Sequence, residues 1–140
     1  MEKRVRYNCI KSLKQEGVPI IIVAAHFEAE AIANACRDNG IIVSAYCDSE
    51  KRKSYEPFCG LEVVHTPNMP SRFSKARFII ATQHVDEVVE QLSGLGYEEF
   101  YSAMELLENY DVGKYKHHIS QSYMETRISI YKKSYEAYFN

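Results

Sequence analysis

Two histidines, two acids and a short polar triplet sit where apolar runs of this chain end. His26, Phe27 and Glu28 follow the β-branched run Ile20-Ile21-Ile22-Val23, Asp48 closes the run Ile41 to Cys47, and Thr82, Gln83 and His84 follow Phe78-Ile79-Ile80-Ala81. A histidine at 26 can donate a hydrogen bond to a small anion at a helix start, where free backbone N–H groups already favour negative charge. The competing reading of His26 is an ordinary surface histidine. An acid at 48 suits a ribose hydroxyl, lying 24 positions after Ala24 against roughly 20 in the dinucleotide-binding fingerprint. Asp48-Ser49 equally well begins a polar turn. Two histidines across one crevice raise the prospect of an acid–base pair or a metal, yet no third ligand has suitable spacing, and no metal is expected. Residue order alone argues for no Ser-His-Asp or Cys-His nucleophile.

The remaining chemistry-bearing residues read more plainly. Cys9, Cys36, Cys47 and Cys59 contain no CxxC pair, which fits reduced thiols better than a disulfide or zinc framework. Lys51-Arg52-Lys53 has the charge to hold a phosphate, although a three-residue basic run in a loop is usually only solvated. His117 and His118 are adjacent, so their rings leave a helix on different sides and form no i, i+4 metal pair.

A strand–helix alternation has to position these residues. Val5, Cys9 and Leu13 at four-residue spacing predict a helix over 3–16. Ile20–Val23 reads as a strand covered on both faces, Phe27–Asn39 as an Ala-rich helix closed by Gly40, and Ile41–Cys47 as a second strand. Residues 49–58 read as a loop, Leu61–Val64 as a third strand, and Pro67 and Pro70 leave room for a short helix at most. Phe78–Ala81 is a fourth strand, the Val85/Val88/Val89/Leu92/Leu95 spacing a helix ended by Gly96, and Phe100-Tyr101 a brief fifth strand or extended piece. Ser102-x-x-Glu105 matches a capping box. The pattern predicts an α/β fold, a Rossmann-like parallel sheet of about five strands in the order 3-2-1-4-5 with helices on both faces, plus a long C-terminal helix. In such a sheet the ligand crevice lies beyond the carboxyl ends of the strands, around the first of them. That brings His26, Phe27, Glu28, Asp48, Thr82, Gln83 and His84 together as candidate ligand-binding residues.

From Ile20 through Gly40, a strand ending in Asp48, Gly60-Leu-Glu-Val-Val64, Phe78-Ile-Ile-Ala-Thr82 and Gln91-Leu-Ser-Gly-Leu-Gly96, the chain resembles a known module. This is the Rossmann-like N-terminal nucleotide-sugar-binding domain of bacterial sugar acetyltransferases and related enzymes of surface-polysaccharide biosynthesis. The resemblance covers roughly residues 18–109 and rests on the order of elements. It implies a nucleotide or nucleotide-sugar ligand. The glycines of that family's Gly-Ala-Gly-x-x-Gly turn correspond here to Ala24, His26 and Ala29, and a His26 ring in the space used by the phosphates argues against NAD or FAD.

Composition narrows the classes further. The chain has 140 residues, a formal charge of −2 and a pI near 6.2, which gives no global attraction to nucleic acid or anionic lipid. The longest apolar run, Val18 to Ala25, is far short of the roughly 20 residues of a membrane helix. With no secretory signal pattern at the N-terminus, the expected location is cytoplasmic. Residues 114–140 carry 5 basic and 2 acidic side chains and five of the 11 tyrosines, whereas residues 1–113 carry 12 basic and 17 acidic ones. A broad stripe of Ile119, Tyr123, Met124, Ile128, Tyr131, Tyr135 and Tyr138 predicts one long helix that docks on a second copy or a downstream catalytic domain. The expected organisation is a Rossmann-like ligand-binding module over 1–112 and an amphipathic helix over 113–140. The expected function is an accessory or regulatory module for a nucleotide, nucleotide-sugar or small anion in bacterial sugar or cell-surface metabolism, not a complete enzyme by itself. A degenerate structural or protein-interaction domain and a small NAD(P)-dependent enzyme are the alternatives.

Overall fold

The computed structural model describes residues 5–14, 17–80, 84–111, 114 and 121–135. In chain order these form β1 (Val5–Arg6), β2 (Ile20–Val23), α1 (Phe27–Asp38), β3 (Ala45–Asp48), β4 (Val63–His65), α2 (Met69–Arg72), β5 (Arg77–Ile80), α3 (Val85–Gly94), β6 (Glu99–Ser102), α4 (Met104–Glu108) and α5 (Gln121–Tyr135), with short 3-10 turns between some of them. The strands make one six-stranded sheet in the order β1-β6-β5-β2-β3-β4, and every pairing is parallel. The architecture is therefore α/β.

Burial explains why β2 and β5 lie at the centre. Successive strand residues point to opposite faces, yet Ile20, Ile21 and Ile22 on β2 and Phe78, Ile79 and Ile80 on β5 are all buried. Both faces of these strands must be covered, and each such side chain contributes about 1.5–3 kcal/mol by leaving water. The connection β2-α1-β3 runs one way across the sheet and β5-α3-β6 the other. Right-handed crossovers then put α1 and α3 on opposite faces. α1 ends in a Schellman closure, with Gly40 at φ 73°, its N–H on Arg37 O and the Ile41 N–H on Cys36 O; the positive φ is the reason for glycine there.

The sheet has one strand more than expected, and so a different complete order. Residues 3–16, expected as a helix, hold β1 and a 3-10 turn at Ser12–Lys14. Val5 and Arg6 pair with Phe100 and Tyr101 on the open edge of β6. The Glu105 carboxylate then accepts the backbone N–H groups of Cys9 at 2.9 Å and Ile10 at 2.7 Å, so these donors are satisfied without a helix. Val5, Cys9 and Leu13 are buried all the same; their spacing marked core positions, not helical geometry. The same contacts alter the expected capping box. Ser102 Oγ accepts the Met104 N–H at 3.1 Å, while Glu105 turns to the N-terminal segment.

Two smaller differences affect the site. The second expected strand begins four residues late, at Ala45; Ser44 N–H already bonds to Ile20 O on β2 at 2.8 Å, whereas Ile42 lies 84% exposed. The loop over 49–58 contains a 3-10 helix, Lys51–Tyr55, which turns Lys53 towards the end of β2.

α5 packs against α4 of the same chain. Met124 and Tyr131 are buried there, with Tyr123 and Ile128 partly buried against the core. Much of the stripe that seemed to call for an external partner is thus covered by the chain's own body. Ile119 and Tyr138 lie outside the described residues, as does the side chain of Tyr135. Among the described residues, no helix is long and apolar enough to cross a membrane.

Candidate functional site

Crossovers leave β2 and β5 in opposite directions, which opens a crevice beyond their carboxyl ends. The backbone at the end of β2 shapes one wall. Ala24 has φ 78°, the left-handed region in which a Cβ costs about 1–2 kcal/mol, and it is the residue that corresponds to the first glycine of the resembled turn. Its N–H is held by Cys47 O at 2.6 Å. The chain then extends through His26 (φ −137°, ψ 175°), the residue before the first turn of α1, with no side-chain cap.

Asp48 and Lys53 fix this turn from the neighbouring strand. Asp48 Oδ2 accepts the Ala25 N–H at 2.9 Å and Oδ1 accepts the Glu50 N–H at 2.8 Å. Lys53 Nζ donates to Ala25 O at 2.9 Å and lies 3.8 Å from Asp48 Oδ2. Both backbone polar groups of Ala25 are therefore held, its N–H by a carboxylate and its C=O by an ammonium. Asp48 is both the start of a polar turn and a strut for the β2–α1 turn, and its side chain is only 11% exposed. A carboxylate offers about four acceptor positions, so two remain for a ligand hydroxyl.

The crevice itself measures about 250 Å³ and is lined by Ala24 and His26 from the β2 turn, Cys47 and Asp48 from β3, Ser49 just after it, Thr66 after β4, and His84, Glu87 and Gln91 from the α3 side. Three segments distant in sequence thus bring His26, Asp48 and His84 to one wall-to-wall space. Burial pulls the His26 pKa below its usual value; Glu28 and Asp48 oppose this, whereas Lys53 and Arg127 add to it. Near neutral pH the imidazole is uncharged and presents one donor and one acceptor nitrogen.

Other candidate residues fall elsewhere. Glu28 does not line the crevice. Its carboxylate accepts the Tyr123 hydroxyl at 2.8 Å and the Tyr131 hydroxyl, and Arg127 Nε stands 2.9 Å away as an ion-pair contact, all three from α5. Phe27 opens α1, but its side chain is outside the described residues, as are Thr82 and Gln83 entirely. Of the basic run, Arg52 pairs with Glu50 at 2.5 Å and Lys53 holds the turn. Glu87 and Gln91 were missed by sequence reasoning; their i, i+4 spacing on α3 was the available signal.

The thiols are not poised for nucleophilic attack. Cys47 is fully buried, and burial pushes its pKa up to about 12 despite a hydrogen bond with Thr66. Burial, with Glu105 nearby, raises Cys9 to about 12 as well. Cys36 and the exposed Cys59 are raised too, chiefly by burial. Thiolate, not thiol, is the reactive form. Among the described residues no group of three or more His, Cys, Asp and Glu is arranged to hold a metal ion. No family model matches the chain, and no curated protein matches it either.

Proposed function

We propose that this chain is an accessory ligand-binding module of Rossmann-like type, which holds a nucleotide, a nucleotide-sugar or a smaller anion and serves bacterial sugar or cell-surface metabolism. The observation that carries the reading is the meeting of His26, Asp48 and His84 in one crevice at the carboxyl ends of β2, β3 and β5. The left-handed Ala24 supports it, since the backbone there has the conformation that the resembled glycine turn requires. At about 250 Å³ the crevice is smaller than the roughly 300–1,000 Å³ of most ligand pockets. It suits one end of such a ligand, a nucleoside or a sugar, and not a whole dinucleotide. Asp48 and Glu87 would accept hydroxyl hydrogens, and the neutral His26 would donate or accept. Titration calorimetry with ADP, UDP, UDP-glucose, NADH and inorganic phosphate tests the proposal. Saturable binding by a nucleotide, UDP-glucose or phosphate, weakened in His26→Ala, is the expected result; no binding across the panel would refute it.

One contact favours a second reading, a structural or protein-interaction domain. The Ala25 N–H, which a bound anion would use, is already taken by Asp48. A panel that leaves the melting temperature unmoved would support that alternative.

A further inference from the structure

α5 reaches the start of α1, beside the candidate site, through a single carboxylate. Tyr123, Arg127 and Tyr131 are spaced four apart, one helical face, and all three converge on Glu28. Glu28 stands in the first turn of α1, two residues from His26, and its side chain is 12% exposed. Arg127 also lies over the Tyr131 ring, 4.9 Å from its centroid, and Arg127 Nη2 donates to the Tyr131 hydroxyl at 3.2 Å. The four side chains form one closed network. A solvated helix face would show no such convergence, and packing alone would be served by apolar residues at these positions.

We infer that α5 is a latch on the crevice: by holding Glu28 it fixes the first turn of α1 and the position of His26, so that docking of α5 and binding in the crevice favour one another. The coupling is reciprocal, because whatever α5 contributes to the bound state the ligand returns to α5. It rests on the crevice being the ligand site, yet the latch itself is measurable without ligand. The charged groups that act on His26 are Glu28 on α1, Asp48 on β3, Lys53 on the 3-10 turn after it and Arg127 on α5, while His84 and Glu87 line the same crevice from the α3 side.

The test uses the full chain and the double variant Tyr123→Phe/Tyr131→Phe, which removes two hydroxyl donors, keeps both rings and changes no charge around His26. Amide exchange along α5 and the NMR titration of the His26 ring are read together. The latch requires α5 amides to exchange at least tenfold faster while those of β2 and β5 hold, and the His26 pKa to rise towards 6.5 as Arg127 withdraws and water reaches the turn. Faster α5 exchange with an unmoved His26 titration would make the network a purely structural staple and overturn the inference. Unchanged exchange would overturn it too, since the hydroxyls would then not hold the helix. Neither result depends on whether any nucleotide binds, so failure of the latch is distinguishable from failure of the ligand site.

Discussion

Removing the Asp48 carboxylate should cost more stability than a residue at a strand end ordinarily would. It accepts the Ala25 and Glu50 backbone N–H groups at 2.9 and 2.8 Å, two bonds to a charged acceptor on a side chain only 11% exposed. Such bonds contribute about 1.5–3 kcal/mol each, and Asp48→Ala leaves both donors without their partner. The part-buried Ala25 N–H takes the lower end, about 1.5 kcal/mol, and the exposed Glu50 N–H, free to turn to water, about 0.5 kcal/mol, which gives about 2 kcal/mol for Asp48→Ala. Asp48→Asn keeps one acceptor but turns an amide donor on the other N–H, and should lose about half or more of that. With a urea slope of about 2 kcal/mol/M for a domain of this size, the unfolding midpoint of Asp48→Ala should fall by about 1 M with the slope unchanged. A fall of less than about 0.3 M would show that Asp48 does not hold the β2–α1 turn and would return it to the role of a free ligand contact.

Two other consequences follow from the same turn. Ala24 occupies the left-handed region, so Ala24→Gly should stabilise the protein by about 0.5–1 kcal/mol in urea unfolding, the released strain of about 1–2 kcal/mol exceeding the added freedom of the unfolded chain; a loss of stability would contradict the strain. Burial holds the His26 pKa below 6.5 in the folded protein, so between the folded value and 6.5 the unfolded chain binds more protons and stability falls as pH drops through that window. Urea unfolding of wild type and His26→Gln at pH 7.5 and pH 5 should show the variant gaining relative to wild type at the lower pH, and a pH-independent difference would rule the buried histidine out.

How far the sequence reveals this molecule depends on what each residue answers to. Ile20–Val23 and Phe78–Ile80 declared central strands because burial on both faces leaves no polar alternation to misread. Val5, Cys9 and Leu13 declared core but not conformation, since a short strand and a tight turn bury that spacing as well as a helix does. The decisive group there was Glu105, a partner 95 or more positions away in sequence. That His26, Asp48 and His84 share one crevice was legible from topology alone, because the ends of adjacent parallel strands must meet. Glu28 was placed at the crevice because it follows the first central strand in the same turn, and the α5 side chains that hold it lie about a hundred residues on. Asp48 had two readings in the sequence, ligand contact and turn former, and its two oxygens show the second to be built in.

Ligand binding in the crevice beyond β2, β3 and β5, as proposed, runs through His26. The most direct measurement is titration calorimetry of wild type and His26→Ala with the nucleotide, nucleotide-sugar and phosphate panel. Loss of one or two neutral hydrogen bonds, about 0.5–1.5 kcal/mol each, should weaken a saturable binding event about twofold or more in His26→Ala. Absence of any saturable heat in wild type, or equal affinity in the two proteins, would contradict it.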